Sequence, residues 1–105
     1  MDLSDILEDL GKPIYHYPEI ARAVGGQAGL FLSSLSLCEP DEDGWVSKST
    51  KEIKNDTGLT KWQQMTVRKK LKKLGVLEEK PGGGSVKLQF RVRLGRLQQL
   101  VKNRL

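Results

Sequence analysis

The sequence predicts one mainly α-helical domain with a small antiparallel β-sheet. Three observations support this: apolar residues recur at helical spacing in several separate segments, strict alternation is confined to residues 86–93, and glycine or proline punctuates the changes between segments. A chain of 105 residues is long enough for one core and short for two.

The elements follow in chain order. In "LSDILEDL", Leu3, Ile6, Leu7 and Leu10 share a helical face, and Gly11 with Pro13 ends an N-terminal helix within residues 1–12. Tyr15 and His16 read as extended, a strand candidate. Pro18 then suits the first turn of a helix carrying Ile20, Ala21 and Val24, which Gly25 and Gly26 stop. "QAGLFLSSLSLC" places Ala28, Phe31, Leu32 and Leu35 on one face, with Leu30 and Leu37 widening it, so this helix is expected to be mostly buried. The single cysteine, Cys38, has no internal disulfide partner and no zinc-ligand spacing; it reads as a small core residue. "EPDEDG" is a turn-rich acidic connector and "WVS" a short strand candidate.

Ser49 to Glu52 has the S-x-x-E form of a capping box, in which each side chain accepts from an N–H that the helix leaves unpaired. Ile53 faces inward and Gly58 ends this brief helix. Thr60 to Gln63 repeats the device as T-x-x-Q and opens a helix that runs to Leu74, where Gly75 caps it. Two short helices joined by a tight glycine-containing turn make a helix-turn-helix over 49–75. "VLEEK" and "SVKLQFRVR" flank "PGGG" as a hairpin over 76–93, with Val86, Leu88, Phe90 and Val92 inward and Lys87, Gln89, Arg91 and Arg93 outward. After Gly95, residues 95–105 return to helix with Leu97, Leu100, Val101 and Leu105 on one stripe. The expected whole is one winged helix-turn-helix domain spanning 1–105, flanked by N- and C-terminal helices.

At about 100 degrees per residue, the helix from Lys61 to Leu74 turns Val67, Leu71 and Leu74 inward. Its opposite face carries Trp62, Met65, Thr66, Lys69 and Lys73, with Lys61, Lys70 and Lys72 at the margins. Two large apolar residues among lysines on a solvent-facing stripe call for a partner. Duplex DNA fits: lysines contact phosphates, Thr66 and the glutamines bond base edges, and Trp62 or Met65 meets a thymine methyl or sugar. Gln63 is also needed by its cap, Gln64 lies near the buried edge, and Arg68 suits a phosphate or an intramolecular contact. On the hairpin, Lys80 and Lys87, with Arg91 and Arg93 behind them, are placed to reach phosphates. The expected DNA-contacting set is Thr60, Lys61, Trp62, Gln63, Met65, Thr66, Lys69, Lys70, Lys73, Lys80 and Lys87.

Charge distribution supports this reading. The net charge is +5, yet residues 1–56 carry 5 Lys/Arg against 11 Asp/Glu, while residues 57–105 carry 13 Lys/Arg against only Glu78 and Glu79. A basic half suits a polyanion and an acidic half repels one. No stretch reaches the roughly 20 apolar residues of a membrane span, and the acidic opening lacks the basic flank of a secretory signal, so a cytoplasmic protein is expected. Catalysis is not: His16 has no triad or metal partners, Asp41, Glu42 and Asp43 are consecutive in a loop, and "PGGGS" lacks the lysine and helix of a phosphate-binding loop. No cofactor is implied. The competing reading is a protein-interaction winged helix with Trp62 and Met65 as anchors. The stripes of the terminal helices suit either their own core or a homodimer, whose two recognition helices would sit about 34 Å apart on DNA.

"STKEIKNDTGLTKWQQMTVRKKLKKLGVLEE" resembles winged-helix domains of phage and plasmid replication-initiation or replisome-organiser proteins, including the amino-terminal DnaD-like type. The "TGLT", "QQ-T-R-KL--LGVLEE" and "FRV" pieces carry the resemblance across about residues 14–93. "PIYHYPEIARAVGGQAGLFLSSL" looks like the family's preceding strand and helices. The resemblance implies DNA binding through the second helix of the motif, here carrying Lys61, Trp62, Gln63, Thr66 and Lys69. Such domains also serve as transcriptional regulators and protein-association modules. The sequence has only a short segment after the wing, where many replication proteins carry a further domain, so a regulator or replication-associated factor is the expectation rather than a replisome loader.

Overall fold

Three capping boxes set three of the helix starts. In the computed structural model, which describes residues 2–10, 13–82 and 87–103, Ser49 and Glu52 exchange backbone bonds at 3.1 and 3.2 Å and open α4 (Thr50–Thr57). Thr60 and Gln63 do the same at 3.2 and 2.9 Å for α5 (Lys61–Lys73). The third was not foreseen: Asp2 and Asp5 form a box that opens α1 (Leu3–Asp9). Between α1 and α4 lie α2 (Pro18–Val24), α3 (Gly26–Ser36) and strand β1 (Val46–Lys48); after α5 come β2 (Leu77–Pro81), β3 (Leu88–Val92) and α6 (Leu94–Lys102).

The sheet is antiparallel in the order β1-β3-β2, with Val46 opposite Phe90 and Glu78 opposite Arg91. A strand, a helix-turn-helix and a returning hairpin whose second strand pairs the first give the winged-helix arrangement. Left-handed glycines make its two tight corners: Gly58 at φ 77° ends α4, and Gly75 at φ 77° turns the chain from α5 into β2. An L side chain rarely adopts that backbone.

The core lies where α3, α4 and α5 meet the inner face of the sheet. Phe31 of α3 packs edge-on against Phe90 of β3, ring centroids 5.4 Å apart, surrounded by Val24, Ala28, Ile53, Val67, Leu71 and Val76. As expected, Ala28, Phe31, Leu32 and Leu35 of α3 are all buried.

Several expectations need correction. Residues 13–17 pair with no strand among the described residues: Tyr15, His16 and Tyr17 are exposed, and the prolines at 13 and 18 withhold N–H donors from any ladder there. Only Gly25, at φ 96°, breaks α2 from α3; Gly26 is already the first residue of α3. That helix ends at Ser36, leaving Leu37 exposed and Cys38 half-buried beyond it. Gly95 sits inside the first turn of α6, because Arg93 supplies the N-cap position. The stripe of α6 does reach the core through Leu97, Leu100 and Val101, whereas Leu3, Ile6, Leu7 and Leu10 of the α1 segment are exposed. The inward positions Val86 and Leu105 fall outside the described residues.

A buried lysine ties the first half together. Lys48, at the end of β1 and only 4% exposed, donates to the Ser34 carbonyl of α3 at 2.7 Å and pairs with Asp56 of α4. Ser34 Oγ donates to the same carboxylate at 2.8 Å. Removing one partner leaves a charge without its counter-ion, which is far costlier than replacing both by apolar groups. Lys48→Ala is therefore expected to lose about 3 kcal/mol in urea unfolding, the low end for a broken buried pair because Asp56 keeps some contact with water. Lys48→Met with Asp56→Leu should recover most of that loss. A change within about 0.5 kcal/mol for Lys48→Ala, the range of ordinary surface substitutions, would show that the pair does not anchor α4.

Candidate nucleic-acid interface

α5 is held on three sides. Beneath it, Gln64, Val67 and Leu71 are buried, and Leu74 at its C-cap is half-buried. Gln64 was expected near an edge, yet it is 0% exposed: its amide donates at 3.0 Å to the Thr50 carbonyl of α4 and at 3.0 Å to the Leu59 carbonyl in the turn. It therefore fixes the angle between the two helices and reads no base. On the hairpin side, Arg68 makes a bidentate bond to Glu79 of β2 at 2.8 and 3.0 Å, joined by Lys72 at 3.6 Å. At the C-terminus, Arg96 of α6 donates to the Leu74 carbonyl at 2.9 Å.

The fourth side is open. Trp62 is 76% exposed and Met65 43%, and Thr66, Lys69 and Lys73 are exposed beside them. Lys61 lies exposed at the margin. Lys61, Lys69, Lys70 and Lys73 enter no ion pair or side-chain hydrogen bond among the described residues. Lys70 lies on the α2–α3 side: a Cβ built on Gly25 would stand 2.9 Å from its Nζ. Thr60 and Gln63 are engaged in the capping box, and Thr66 Oγ1 donates to the Trp62 carbonyl at 3.1 Å.

The hairpin cations are placed differently. Lys87 pairs with Glu52 at 3.2 Å, and Arg91 makes a bidentate bond to Glu78 at 3.2 and 2.9 Å, with Arg93 at 3.9 Å from the same carboxylate. Lys80 stands 4.1 Å above the Trp45 ring and Arg91 4.7 Å from it, so both flank an indole on the outer face of the sheet. Glycines 83 and 84 of the hairpin loop lie outside the described residues.

Three glutamates thus act as internal counter-ions, a role sequence reading did not assign. Glu78 and Glu79 stand out as the only acids in the basic half, but spacing alone could not show which cations face them. Burial alone would raise the Glu79 carboxyl; the Arg68 bond and the Lys72 charge outweigh it and hold it below its ordinary value near 4.5. The Lys87 bond and the Ser49 cap lower Glu52, and the Arg91 bond lowers Glu78.

A carboxylate lowered in the folded state stabilises the fold above its unfolded pKa, and that contribution disappears as pH falls through the lowered value. The α5–β2 clamp should be at full strength above pH 4.5, the ordinary value for Glu79, and weaken below it. Urea unfolding followed from pH 7 to 3 is expected to show a smaller acid-induced loss in Glu79→Gln than in the wild type; identical pH profiles would contradict the clamp. Compared with protein-family models, curated proteins and solved structures, the chain gives no match.

Proposed function

We propose that the protein binds duplex DNA by laying α5 in the major groove, as a phage- or plasmid-type transcriptional regulator or replication-associated factor acting without catalysis in the cytoplasm. One observation carries the reading: on a helix clamped elsewhere by Gln64, Arg68 and Arg96, the open side presents Lys61, Lys69 and Lys73, without counter-ions among the described residues, around exposed Trp62 and Met65. The major groove, about 12 Å wide, accepts one helix. Phosphates supply the missing counter-charge. Among the described residues no helix is long and apolar enough to cross a membrane.

In this reading Lys61, Lys69, Lys70 and Lys73 supply salt-sensitive affinity. Lys80 and Lys87 contribute only as far as they leave Trp45 and Glu52. The exposed size of Trp62 and Met65 favours a second reading, in which α5 grips a protein. Self-association accompanies the first reading: of the two terminal stripes, that of α6 packs on the core while the leucines of α1 are exposed, so α1 is the terminal helix offered to a second copy. A monomer by light scattering at DNA-binding concentrations would rule that out.

Fluorescence anisotropy of random duplex DNA across a salt series separates these readings. Wild-type affinity should fall steeply with salt, and Lys69→Ala/Lys73→Ala should flatten the log–log slope by about 0.9 per lost phosphate contact. No binding at low salt by folded protein would turn Trp62 and Met65 into protein-contact anchors.

A further inference from the structure

The glutamines, Thr66 and Arg68 of α5 each make a hydrogen bond inside the protein, which narrows how a DNA-bound helix could tell one base pair from another. Gln63 Oε1 accepts from the Thr60 N–H at 2.9 Å, which uses one of its two lone pairs and ties the amide to the cap, so pairing it with adenine competes with the capping box. Gln64 donates twice within the fold and is fully buried. Thr66 directs its hydroxyl proton to the Trp62 carbonyl, and Arg68 holds Glu79 with two nitrogens. Beside these partly used polar groups the outward side presents lysine, which any phosphate satisfies, and the exposed apolar surface of Trp62 and Met65.

Resting on the DNA-binding reading, we infer that α5 reads thymine C5-methyl groups in the major groove through Trp62 and Met65. These methyls are the one apolar group that a base pair displays there. Trp62 at the first turn and Met65 one turn on are both exposed on the side that carries Lys69 and Lys73 further along the helix, with Lys61 at its margin, so the cations that hold the phosphates also bring these two side chains to the base edges. The preferred site therefore contains thymine where the first two turns of α5 enter the groove, and the discriminating contact is lost when the methyl alone is removed.

The test begins by selecting preferred duplexes from a random pool with the wild-type protein. Anisotropy titrations then compare each selected duplex with copies in which single thymines are replaced by deoxyuridine, which keeps every hydrogen-bonding group. At one or two positions the wild type should bind about fourfold more weakly per methyl removed, the equivalent of about 0.8 kcal/mol. Trp62→Ala/Met65→Ala should bind the thymine and deoxyuridine duplexes alike. Both positions are exposed, so the variant should melt like the wild type.

Equal wild-type binding to thymine and deoxyuridine duplexes, with weakening instead by 7-deazaguanine, would overturn the inference in favour of lysine contacts to guanine and leave DNA binding intact. A selection that yields no preferred sequence would also overturn it. Failure of the folded protein to bind any duplex at low salt would overturn both the inference and the reading beneath it.

Discussion

The Lys48 ammonium, buried between the Ser34 carbonyl and the Asp56 carboxylate, is the contact on which the placement of the helix-turn-helix depends. It joins α3, β1 and α4. Apolar burial supplies most of the folding free energy but is non-directional; a charge that must find both partners in a low-dielectric interior permits few arrangements. The same logic passes outward. Gln64 carries the orientation of α4 to α5 through the Thr50 and Leu59 carbonyls, and the Arg68–Glu79 fork carries it from α5 to β2. Three polar connections thus cross the domain, and between them the phenylalanines and aliphatic residues fill the volume.

Fixing α5 in this way decides which of its residues face out, and the distribution of counter-ions sorts the cations. Near the sheet, Arg68, Lys72, Arg91 and Arg93 find glutamates, while Lys80 finds an indole. On the open side of α5, Lys61, Lys69 and Lys73 have no such partner among the described residues. The net charge of the basic half is therefore a poor guide to where the field is strongest. The proposed footprint centres on the helix more than on the hairpin, because an unneutralised cation contributes more to a phosphate contact than one already paired.

Much of the fold was legible because its signals are local. The Ser49–Glu52 and Thr60–Gln63 boxes, the left-handed glycines at 58 and 75, and the alternation ending at Val92 each act within a few residues of chain, and each element stands where they put it. The inward set of α5 followed from angular spacing, apart from Gln64. What escaped was non-local: nothing near Lys48 in the sequence announces that its partners are 14 and 8 residues away on other elements. The pairing of Lys87 with Glu52 and of Arg91 with Glu78 likewise needs the register of the sheet. Gln64 read only as lying near the edge of the buried stripe because a helical wheel weighs polarity, whereas the fold weighs whether buried carbonyls of α4 and the turn have a donor. The same wheel grouped the leucines of α1 correctly but could not say that the described core leaves them exposed.

The proposed DNA site is the open side of α5. Two-dimensional amide NMR of the 15N-labelled protein, titrated with a random-sequence duplex at low salt, tests it most directly, with the Trp62 indole N–H as an added reporter. The largest shifts are expected to cluster on residues 60–73, with Trp62, Met65, Lys69 and Lys73 leading and α1 unchanged. Shifts confined to the outer sheet face around Trp45, or no shifts from a folded protein, would contradict it.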